Sequence, residues 1–166
     1  MPKLYRTGDG KLITIEQVCE TVFNYIITSP QEEYEITIGT DSQSHNMTRI
    51  VEVIAARRIG KGGIFFYYVD NVENFHTLRD KIYEETNRSI VLAKEFLDKV
   101  LSLMSDNNID INDLNAKFVI HCDIGEYGKT NSLIKEIVSW VHAVGFECAI
   151  KPDSYTASGI ANKFSK

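Results

Sequence analysis

The chain has 166 residues, 43% of them apolar and 25% charged, with a formal net charge of −5. This composition fits one ordinary domain with enough length for a core, and it excludes a surface that captures polyanions over its whole extent; any nucleic-acid contact has to be a local, salt-sensitive basic patch. No apolar run reaches membrane-spanning length, Met1-Pro2-Lys3-Leu4-Tyr5-Arg6 lacks the apolar stretch of a signal peptide, and Cys19, Cys122 and Cys148 are odd in number with no C-x-x-C pair, so the expectation is a cytoplasmic protein with reduced thiols and no membrane contact.

Thr14-Ile15-Glu16-Gln17 has the form of a capping box and opens a helix with Ile15, Val18, Val22 and Ile26 on one stripe, ending near Ser29-Pro30. Residues 1–33 are read as a helical extension and 34–166 as the core of a single domain. A strand follows at about Glu35–Thr40, a second at Ile50–Ile59 and a third at Ile64–Val69, with Gly60-Lys61-Gly62-Gly63 as the hairpin between the last two. Thr77 caps a long helix over roughly Leu78–Met104. After the polar loop Ser105–Asn115 comes a fourth strand ending at Asp123, a helix over Lys129–Val144 closed by Gly145, a fifth strand at Phe146–Ile150 and a terminal helix at about Tyr155–Phe164. The first three strands form a meander. The last two join through helical crossovers, which favours parallel pairing with the first. The expected fold class is α/β: a mixed five-stranded sheet with helices on both faces and the first and fourth strands adjacent.

That adjacency gives the acids their interest. Asp41 and Asp123 each close a strand, and a carboxylate held there needs a partner, often a metal ion. Glu85 falls on the inward stripe of the long helix, with Leu78, Ile82, Ser89, Ala93, Phe96 and Val100, whereas Glu84 lies about 100° away. Glu85 reads either as a site residue or as a partner of Arg88 or Arg79. Asp153 stands where the last helix begins, as a site residue or as a cap.

Other signals are weaker. Asp123-Ile124-Gly125-Glu126-Tyr127-Gly128-Lys129-Thr130 imitates a P-loop but has two residues between its glycines rather than four; what remains is a helix start at which Lys129 holds a substrate phosphate, or a tight turn. Asp106, Asn108 and Asp110 lack the glycine and glutamate of a calcium loop. His45, four residues after Asp41, faces either the site or solvent, and His121 reads as a core histidine. Lys151, Lys163, Lys166, Arg57 and Arg58 are candidate phosphate contacts or ordinary surface charges.

The element order with acids at those four places resembles the ribonuclease H-like fold. The strings Ile38-Gly39-Thr40-Asp41-Ser42-Gln43, Glu85-Thr86, His121-Cys122-Asp123-Ile124-Gly125-Glu126 and Lys151-Pro152-Asp153-Ser154 resemble a small bacterial family of that fold, the YkuK-like family, a domain of unknown function. The resemblance covers about Glu33 to Lys166. It implies that Asp41, Glu85, Asp123 and Asp153 stand where ribonuclease H-like nucleases hold two Mg²⁺ or Mn²⁺ ions. The implied activity is metal-dependent phosphodiester hydrolysis of RNA, DNA or a hybrid. The alternative is a nucleic-acid or protein binding module that keeps the fold without turnover.

Overall fold

A computed structural model of the protein describes residues 2–126, 128–151 and 153–154. In chain order the elements are β1 (Tyr5–Thr7), β2 (Leu12–Ile13), α1 (Ile15–Ile27), β3 (Glu33–Ser44), β4 (Thr48–Arg58), β5 (Gly63–Val72), α2 (Leu78–Asp106), β6 (Asn115–His121), α3 (Ile134–Ala143) and β7 (Glu147–Ala149). They build one mixed sheet in the order β2-β1-β5-β4-β3-β6-β7. β4 is antiparallel to β3 and β5, and β6 and β7 run parallel.

The sheet has seven strands rather than the expected five. The two extra strands come from the segment read as purely helical. They are three and two residues long, too short to show alternation, and they cover the free edge of β5, which would otherwise offer unpaired backbone groups. The capping box at Thr14 and Gln17 is present as read. Positive φ angles of 77° at Gly60 and 88° at Gly62 make the β4–β5 turn.

Strand alternation sorts the sheet into two faces. Tyr34, Ile36, Ile38, Ile54, Ala56, Phe66 and Ile120 point to one face, and the apolar stripes of α1, α2 and α3 pack there in a single core. The other face carries a smaller cluster of Val51, Val53 and Tyr67 with Phe65 and Val69. The helix expected over Tyr155–Phe164 lies outside the described residues. Among the described residues no helix is long and apolar enough to cross a membrane.

Two boundaries shift where they affect the site. β3 does not end at Asp41 but runs on to Ser44, because the backbone ladder with β4 continues to Ser44 opposite Thr48 through residues too polar to show the pattern. The helix expected from Lys129 starts at Ile134, after a 3₁₀ turn over Asn131–Leu133. The Thr130 hydroxyl accepts from the Gly125 N–H at 3.2 Å instead of capping a helix.

Candidate functional site: an acid cluster between β3, β6 and α2

The parallel pairing of β3 with β6 sets Gly39 opposite His121. Two residues further on, Asp41 and Asp123 therefore come to the same level. β6 has already ended at His121, so Asp123 is on the loop that follows. That loop is held by two backbone bonds to the β7 side, Cys122 N–H to Ala149 C=O at 2.9 Å and Lys151 N–H to Ile124 C=O at 2.8 Å. A methyl group on Gly125 would meet the Lys151 Cβ at 3.0 Å, so the missing side chain lets the two segments close. The result is an ion pair of Lys151 Nζ with Asp123 Oδ1 at 3.0 Å.

α2 crosses β3 in phase. Ser89 Oγ lies 2.8 Å from Thr40 Oγ1, and Ser42 Oγ donates to Glu85 Oε2 at 2.7 Å. Four residues of helix and two of strand both span about 6 Å, so the polar pairs repeat in register. Glu85 thus faces Ser42 near the end of β3, close enough to Asp41 for the two carboxyls to influence each other. Its one-turn neighbour Lys81 places Nζ 3.8 Å from the same Oε2. Glu84 points elsewhere, to Arg88 at 2.9 Å, and Arg88 also holds the fully buried Glu52 at 3.1 Å and Asp70 at 3.0 Å. Arg79 binds Glu136 on α3. Neither arginine that the sequence offered as a partner for Glu85 takes that place. The Glu52–Arg88 pair was missed: Glu52 sits at an inward position of β4, and a charge in an otherwise apolar alternation was its signal.

Electrostatics ties the three acids together. Burial, and then the charge of Asp123, raise the Asp41 carboxyl above its ordinary value; Lys81, the Ser42 N–H and Lys151 oppose the shift. Burial pushes Glu85 up to about 8, against Lys81 and the Ser42 hydroxyl, with Asp41 and Asp123 adding to the rise. A cavity of about 10 Å³, room for roughly one water, lies between Glu85, Ser89, His121, Cys122 and Asp123.

A ribonuclease H-like family model matches residues 17–166. The chain belongs to the ribonuclease H-like family. It is also 35% identical, over 166 residues covering 98% of this chain and 96% of the relative, to the uncharacterized protein YkuK of Bacillus subtilis (strain 168). No solved structure matches it.

Within this ribonuclease H-like frame the other predicted site residues have surroundings of their own. Asp153 is exposed and its N–H closes a turn on Ile150 C=O at 2.8 Å. It lines a larger cavity of about 630 Å³ with Glu35, Arg57, Lys117, His121 and Glu147. His121 borders both this cavity and the small one beside Glu85 and Asp123. His45 is exposed at the tip of the β3–β4 hairpin, with its N–H on Met47 C=O. Lys129 is exposed on the loop after Asp123. His121 is buried, and burial lowers its basicity. Arg57 and Arg58 stand opposite Glu35 and Tyr34, at the far end of β3 from Asp41, about 20 Å away. Arg58 stacks on Tyr25 at 4.3 Å and binds the Tyr34 hydroxyl at 3.1 Å. Lys163 and Lys166 lie outside the described residues.

The donor chemistry of Asp41, Glu85 and Asp123 suits a hard divalent cation. Among the described residues no three His, Cys, Asp or Glu side chains are grouped closely enough to hold one ion. Mg²⁺ binds through one or two carboxylates, with waters and phosphate oxygens completing its shell, so a pair of these acids is a sufficient protein contribution.

Proposed function

We propose that the protein is a metal-dependent phosphodiesterase acting on nucleic acid, with Asp41 and Asp123 as the carboxylates that hold Mg²⁺ or Mn²⁺. The observation that carries this reading is the convergence of three carboxyl groups, from β3, the loop after β6, and α2, in a ribonuclease H-like chain. Two of them are buried with raised affinity for a proton, the signature of anions short of positive charge. A bound divalent ion supplies that charge and, in phosphodiester hydrolysis, activates water and stabilises the leaving oxygen. The residues do the rest. Asp41 is fixed by the Ser42 N–H at 3.0 Å from its Oδ1. Glu85 is locked by the Ser42 hydroxyl and, with its proton retained to about pH 8, is the group suited to proton exchange with a nearby water. Lys129 and Lys151, both exposed, are the cations able to reach a phosphate backbone. Asp153 and His45 remain candidates on the rim.

One observation favours the second reading, a binding module without turnover: lysines already pair with two of the three acids. Labelled RNA, DNA and hybrid oligonucleotides with Mn²⁺ separate the two. The nuclease reading expects cleavage by the wild type and loss of it in both Asp41→Asn and Asp123→Asn, with the fold retained. No cleavage of any substrate, or activity unchanged in Asp41→Asn, would refute it.

A further inference from the structure

We infer that the ammonium groups of Lys81 and Lys151 are the counter-ions of the acid cluster in the ion-free protein, and that a divalent cation enters by displacing them and releases both to bind phosphate oxygens. The inference rests on the metal reading above and specifies how that site is gated.

The geometry is specific on both sides. Lys151 is delivered to Asp123 by its own backbone bond to Ile124 and by the close approach over Gly125. Lys81 is one helical turn before Glu85 on α2, at the i, i+4 spacing. Both lysines also act on Asp41, each opposing the rise that burial imposes. Among the described residues neither makes another ion pair. The cluster thus holds three carboxylates and two ammonium groups.

At neutral pH, where Glu85 keeps its proton, adding a divalent ion with both lysines in place would set four positive charges against the two negative ones of Asp41 and Asp123. Like charges that close repel strongly wherever water is partly excluded. Exchange is therefore favoured over addition. Both side chains can leave: the Lys151 side chain is 55% exposed and that of Lys81 26%, and a lysine is a strongly hydrated point charge on a flexible stem. Once released they stand beside the ion, facing solvent, where a substrate phosphate has to arrive. A lysine contributes affinity there without reading sequence.

The test is Mn²⁺ binding to the full chain by titration calorimetry, without substrate. It compares wild type, Lys151→Met, Lys81→Met, the double variant, and Lys94→Met, at an exposed lysine of α2 outside the site, as a charge-matched control. Lys→Gln variants serve as a second set if a Met variant folds poorly. Displacement predicts that each single change tightens Mn²⁺ binding about two- to fivefold, the scale of a solvent-exposed ion pair, that the double variant gains more, and that Lys94→Met changes little. Tightening in the double variant where the wild type binds nothing would also support the lysines as counter-ions, while removing the nuclease reading. Wild-type binding that is unchanged or weakened by Lys151→Met and Lys81→Met, or tightened equally by Lys94→Met, would overturn the inference and leave the metal reading standing. Absence of binding in every variant would overturn both.

Discussion

Replacing Glu85 by Gln should make the metal-free protein more stable at alkaline pH and leave it unchanged at acid pH. Glu85 is 4% exposed, and burial moves its carboxyl from an ordinary 4.5 to about 8. The folded chain therefore keeps a proton that the unfolded chain loses. Between those two values folding is linked to uptake of one proton, so stability falls by about 1.4 kcal/mol for each pH unit gained. Across the window the loss amounts to roughly 4 to 5 kcal/mol at most. Below about pH 4.5 both states are protonated and the penalty is absent. Gln stays neutral and its amide oxygen can still accept the Ser42 hydroxyl, so the variant escapes the penalty. For a chain of this size each kcal/mol is worth about 2–4 °C, which gives a difference in Tm on the order of 10 °C at pH 8 and little at pH 5. Thermal melts of both proteins from pH 4.5 to 9, with a chelator present, make the comparison. Parallel profiles for wild type and Glu85→Gln would refute the placement of Glu85 as a buried carboxyl beside other acids.

Millimolar Mg²⁺ or Mn²⁺ should raise the melting temperature of the wild type, because a ligand of the folded state stabilises it by mass action; Asp41→Asn should lose most of that gain while raising the metal-free stability slightly, both read by scanning fluorimetry. Arg88→Met should destabilise by about 3 kcal/mol in urea titrations, since it removes the nearer of two cations from the buried Glu52; a change below about 1 kcal/mol would mean that Lys3 alone satisfies Glu52. Cys122 and Cys148 have their sulfurs 3.3 Å apart, so a mild thiol oxidant should reduce the titratable thiols from three to one, and Cys148→Ser should prevent that loss.

The central sheet was legible because its signals are local. β3, β4 and β5 alternate or run apolar, the glycine-rich turn fixes one hairpin, and the long spacers before β6 and β7 demand crossovers. Glu85 was legible for the same reason, since a helical period of 3.6 assigns a face without reference to anything else. β1 and β2 were not, because strands of two and three residues are held by the β5 edge and not by their own pattern. The end of β3 was misplaced because Ser42, Gln43 and Ser44 are kept in the ladder by β4. Asp153 joined the other acids by resemblance and by its place after β7. Its backbone is held by a turn bond to Ile150, which no periodicity reports. The lysine partners were invisible for a related reason: Lys151 reaches Asp123 through a backbone approach over Gly125, a relation between two loops 26 residues apart.

The most direct measurement is the anomalous diffraction of a crystal equilibrated with Mn²⁺. A metal site formed by Asp41 and Asp123 predicts an anomalous peak about 2.0–2.5 Å from their carboxylate oxygens, with the Lys151 ammonium moved away from Asp123. A map with no peak at saturating Mn²⁺, and with Lys151 still paired to Asp123, would contradict the account.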